Sequence, residues 1–120
     1  MIEEFVARMF AIRDAAHVAH WAAKGPGSYA QHVALGEFYD GIVDLVDSYV
    51  ETYQGYYGLI REVKPVPYTR NDILKQIQTE AKWLGENCDA ICQENAALEN
   101  IFQEIEALFA KTYYKLKFLA

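Results

Sequence analysis

The residues of this 120-residue sequence that can do chemistry fall into two groups. His17 and His20 lie three positions apart, just ahead of the stretch Lys24-Gly25-Pro26-Gly27, and His32 follows His20 by twelve positions. Further on, Asp40, Asp44, Asp47 and Glu51 recur at helical steps. At 100° per residue these four carboxylates fall within about 60° of one another. The ordinary reading of such a stripe is a solvated helix face, and the ordinary reading of two histidines near a helix end is capping or packing. Carboxylates packed this closely repel one another, however, and a bound cation relieves the repulsion. Imidazole and carboxylate together suit iron, manganese or zinc.

Distance divides the candidate ligands. His32 and Asp47 are 15 positions apart, which on one helix is about 22 Å. They cannot hold the same ion within one chain. His20 can approach His32 across the Lys24–Gly27 turn, and Asp47 and Glu51 are one turn apart. An antiparallel two-fold dimer would set the histidine half of one chain against the carboxylate half of the other and make two identical sites.

The order His20-Trp21, Lys24-Gly25-Pro26, His32, Asp47 and Glu51 resembles the Dps family of mini-ferritins over about residues 16–55. That resemblance implies a ferritin-like four-helix fold, a homo-oligomer of at least a two-fold dimer, and a ferroxidase site shared across the dimer interface. By the same resemblance His20 and His32 of one chain, with Asp47 and Glu51 of the other, are both the metal ligands and the catalytic residues. The activity implied is oxidation of Fe(II) by peroxide or oxygen, which limits oxidative damage. His17 and Trp21 match residues often seen around the motif. The family usually has an acid four positions after the second histidine. Here Gly36 stands there, which leaves Glu37 and Asp40 as the carboxylates available to complete the coordination. In its brevity the chain is similar to the small Dps-like domains encoded by bacteriophages and some bacteria. The competing expectation is a metal-free structural or interaction bundle that keeps the fold and has lost the activity.

Positioning these residues requires helices. Proline and glycine break the chain at Lys24–Gly27 and at Lys64-Pro65-Val66-Pro67. Between the breaks, apolar residues recur every three or four positions. Ile2, Phe5, Met9, Ile12, Ala16, Ala19 and Ala23 mark a first helix, and Leu35, Phe38, Ile42, Val46, Tyr49 and Tyr53 a second, from about Ser28 to Tyr53. Leu74, Ile77, Ala81, Leu84, Cys88 and Ile91 mark a third; Leu98, Phe102, Ile105, Phe109, Tyr113 and Leu116 a fourth. Asn71 is the predicted cap of the third helix, with Asp72 in its first turn. A turn is predicted at Glu94-Asn95. The expected fold is all-α: one domain, residues 1–120, forming an antiparallel four-helix bundle with one extended connection over about residues 55–69.

Charge narrows the partners. Eleven Lys and Arg against 17 Asp and Glu give a net charge of -6. Nucleic acid is not expected as a partner, nor is an anionic membrane, because both need a cationic surface. No run approaches the ~20 apolar residues of a membrane span. Glu3 and Glu4 stand where a signal peptide would be basic, so a cytoplasmic bacterial location is expected. Cys88 and Cys92, four apart on a helix, read as small apolar groups and not as a disulfide.

Overall fold

The computed structural model describes residues 1–119. Among them are four helices and no strand: α1 (Ile2–Ala22), α2 (Ser28–Tyr57), α3 (Ile73–Cys92) and α4 (Ala96–Phe118). α1 packs on α2 and α3, and α4 packs on the same two, so α1 and α4 stand at opposite corners. Ala19, Gln31, Ile73 and Leu116 gather at one end of the bundle, and Met1, Tyr57 and Ile91 at the other. α1 and α2 are therefore antiparallel neighbours, as are α3 and α4. The connection 58–72 crosses back along the bundle so that α3 runs in the direction of α2. One long crossover thus joins two helical hairpins into a four-helix bundle. No helix among the described residues is long and apolar enough to cross a membrane.

The apolar spacing fills one core. Phe5, Tyr49 and Phe102 meet with ring centroids 5.1–6.1 Å apart, and Phe38 meets Phe109 edge-on at 4.9 Å. All five are fully buried. The Tyr49 hydroxyl donates to the Ile91 carbonyl at 3.2 Å, so the one polar atom of this cluster is satisfied. Arg8 grips Glu80 with two hydrogen bonds, 2.9 and 3.2 Å, and lies 4.4 Å over the Trp83 ring, which ties α1 to α3.

The turns explain where the helices stop. Gly25 and Gly27 both take positive φ, 88° and 77°, which a side chain would disfavour. They reverse the chain between α1 and α2 in five residues. Asn95 caps α4 by accepting from the Leu98 N–H at 3.1 Å. Two expectations need correction. α2 runs on to Tyr57, one turn past Tyr53, and its connection begins only at Gly58. The residue that caps α3 is Asp72, in the left-handed region at φ 52°, and not Asn71. The Gln76 amide donates to the carbonyls of Thr69 and Asn71 at 2.7 and 2.6 Å, and the Thr69 hydroxyl accepts from Asn71 N–H. Those bonds fold Asn71 into the end of the connection.

Glu106 on α4 is half-buried, and burial holds its carboxyl above the usual value of 4.5. No cation pairs with it among the described residues. A carboxyl whose folded pKa is raised binds its proton more tightly when folded. Its contribution is most favourable below the unfolded value and is lost as pH rises through the folded one. Glu106→Gln is therefore expected to raise the melting temperature near neutral pH by about 1–2 °C, the partial exposure keeping the effect small. Near pH 4 the gain should vanish. Thermal melts at both pH values check this; an equal gain at both would contradict it.

Candidate metal site

α1 ends and α2 begins on either side of a five-residue turn, and this places His20 against His32. Their rings stack with centroids 3.6 Å apart and an interplanar angle of 18°. The two side chains bond each other's backbone. His20 Nδ1 donates to the His32 carbonyl at 2.6 Å, and His32 Nδ1 donates to the His20 carbonyl at 3.0 Å. A carbonyl only accepts, so the proton of each neutral ring sits on Nδ1. Nε2 then carries the lone pair on both rings, the form that ligates a metal.

Around the pair is a row of rings. His17 stacks on Tyr39 at 3.9 Å and packs on Trp21 at 4.2 Å. Tyr39 meets His20 edge-on at 5.4 Å, and Arg13 lies 5.4 Å over Tyr39. Trp21 is 69% exposed. Sequence reasoning missed Tyr39 and Arg13. Tyr39 is seven positions after His32 and so on the same side of α2, a signal that was present.

Gly36 faces the same pair. A Cβ built there would lie 3.2 Å from His20 Cε1 and 3.4 Å from its Nδ1. The His20 ring thus lies against bare helix backbone. Glu37, next in sequence, points elsewhere: its carboxylate accepts from Lys115 Nζ on α4 at 2.6 Å. Asp40 is exposed, one turn further along.

Asp47 and Glu51 are both exposed near the far end of α2. The Asp47 carboxylate accepts the Glu51 proton and repels its charge, and both effects hold the Glu51 pKa above the usual carboxylate range. The two acids are therefore a pair, as are the two histidines, with about 22 Å of α2 between the pairs. Among the described residues no three His, Cys, Asp or Glu side chains come together in a way that could hold a metal ion. One chain supplies two halves.

His20 stands on α1, and His32, Asp47 and Glu51 stand on α2. Beside Asp47 is a groove of about 610 Å³ lined by Phe10, Val43, Val50 and Asp44, and by Ile60 and Val63 of the connection after α2. Phe10 is 54% exposed and Val43 48%, so the groove is apolar and uncovered.

The two thiols form no comparable site. Cys92 is buried, Cys88 half-buried, and both are free. Desolvation, with Cys92 beside it, pushes the Cys88 thiol up to about 12. Desolvation also raises Cys92, which lies 3.5 Å from the Tyr49 hydroxyl. Thiols held protonated are poor metal ligands.

Compared with known proteins, the chain matches one family model, a family of unknown function (DUF5856), over residues 20–116. That stretch begins at His20 and contains His32, Asp47 and Glu51. Searches of curated proteins and of solved structures return no match.

Proposed function

The chain belongs to the DUF5856 family of unknown function, and we propose that it binds a divalent transition-metal ion between two copies of itself. His20 and His32 come from one copy and Asp47 and Glu51 from the other. The carrying observation is the reciprocal bonding of the two histidines, which turns both Nε2 lone pairs into available ligands. An antiparallel two-fold axis near the middle of α2 would bring these nitrogens to the partner's carboxylates and cover the exposed Phe10 and Val43. The donors are two borderline nitrogens and two hard carboxylates, a set that fits Fe(II), Mn(II) or Zn(II).

The resemblance to the Dps family makes Fe(II) the cargo and its oxidation by peroxide or oxygen the activity. In that role the imidazoles would hold Fe(II) and the carboxylates would favour the more highly charged Fe(III). Bound metal and assembly test the reading together. Protein purified without chelator is titrated anaerobically with Fe(II) while its mass is followed by sedimentation. Micromolar binding to a dimer is expected. A monomer at micromolar concentration with metal present would refute the shared site, and a dimer that binds no Fe(II), Mn(II) or Zn(II) would leave a structural bundle.

A further inference from the structure

We infer that the apolar groove beside Asp47 is a docking site for a basic amphipathic helix of another protein. The partner's apolar residues would seat in the groove, and its lysines or arginines would stand along the acidic edge of α2. This goes beyond the metal site and does not depend on it. The groove has three walls: Phe10 on α1, Val43 and Val50 on α2, and Ile60 and Val63 on the connection that follows. Phe10 and Val43 are both exposed, so a partner that covers them releases water from apolar surface.

One edge of the groove is charged. Asp40, Asp44, Asp47 and Glu51 are all exposed, and from 40 to 51 they run about 16 Å, three turns of α2. None of the four is in an ion pair among the described residues. The repulsion between Asp47 and Glu51 is therefore unrelieved within the chain. Asp14, which lines the α1 wall, differs, because Arg13 holds it at 2.9 Å.

The length of this charge and its place on one edge select the occupant. A row of acids three turns long beside an apolar groove is the complement of a helix whose apolar residues share one face and whose cations share one flank. A small amphiphilic amine would fill the groove beside Asp44 and leave Asp40 and Glu51 unmatched. Nucleic acid or an anionic membrane would be repelled. A second copy without metal is also poorly matched. In an antiparallel pair about the middle of α2, its own Asp40 and Asp44 would face these two. The partner helix and the metal-bridged dimer both cover Phe10 and Val43, so the two states exclude each other.

The test uses the full chain with chelator present, so that no metal contributes. The probe is a fluorescent peptide of about 15 residues, four helical turns, built from leucine, alanine and lysine. Its leucines stand at i, i+4, i+7 and i+11, and its lysines on one flank. Anisotropy is expected to give micromolar affinity that weakens as salt rises. Val43→Ser takes apolar surface from the groove, and Asp44→Lys reverses one charge of its edge. Each should weaken binding at least ~10-fold. Both positions are exposed, so helical content should not change in either variant. No binding by the wild type, equal binding of a scrambled peptide of the same composition, or wild-type affinity in both variants would overturn the docking site. Sedimentation of the metal-free chain is the further check. A dimer that Val43→Ser dissociates would assign the groove to a second copy and overturn the partner helix. Failure of the peptide to bind leaves the metal site standing, and failure of the metal titration leaves the docking site standing.

Discussion

Asp47→Ala is expected to abolish divalent-metal binding, a loss of at least ~100-fold, with no measurable change in helical content. The metal loss follows from the donor set of the proposed site: without one of its two carboxylates a divalent ion loses both a ligand and part of its charge balance. The unchanged fold follows from position. Asp47 stands on the exposed surface, outside the core. Removing it also relieves the repulsion that raises Glu51. His32→Ala is expected to lose metal as completely but to be less innocent. It removes the stack on His20 and the bond to the His20 carbonyl, at a cost of about 1 kcal/mol. Circular dichroism and a Zn(II) titration of both variants decide the matter. Retained affinity in both would place the metal elsewhere on the molecule.

The largest effect on stability is expected at Phe102. Its ring is fully buried and meets Phe5 at 5.7 Å and Tyr49 at 6.1 Å, where α1, α2 and α4 converge. Phe102→Ala removes that contact and leaves a cavity that three fixed helices cannot close. The expected cost is ~3–5 kcal/mol, a large part of the ~5–15 kcal/mol that holds such a domain folded. Urea unfolding reports it as a fall in midpoint at a nearly constant slope. A loss below ~1 kcal/mol would show that the centre of the bundle repacks freely.

The helices were legible in the sequence because burial of one face dictates their period. Phe5, Met9, Phe38, Ile42, Phe102 and Phe109, all placed in the core by spacing alone, are fully buried. Ends were harder. Gly55 has the character of a helix stop, yet α2 continues until Gly58 takes φ 90°. Asn71 has the side chain of a cap, but the Gln76 amide four residues into α3 takes its carbonyl. At the site, the nearness of His20 and His32 follows from a short turn and could be read in advance. Their crossed backbone bonds could not, because spacing carries no ring orientation. The fate of Glu37 was also hidden. Its partner, Lys115, is 78 positions away, and only the packing of α2 on α4 brings them together.

The crossover at 58–72 divides the molecule in a way its single core conceals. Each helix pair on either side of it is joined by a turn of a few residues, so α1–α2 and α3–α4 are both local structures that close early and cheaply in entropy. What lies between them is an irregular connection with Leu59, Val66 and Tyr68 in solvent. Ile60 and Val63 pack on the core, and among the described residues the Arg61 N–H, held by the Glu3 carboxylate at 2.9 Å, is the connection's hydrogen bond to α1. Docking of one hairpin on the other is thus expected to be the late, long-range event. A nick in this stretch would not destroy the architecture; it would turn one polypeptide into two complementary halves, each with a bare apolar face that only the other fits. Every candidate ligand travels with the first half, and the second serves as its clamp.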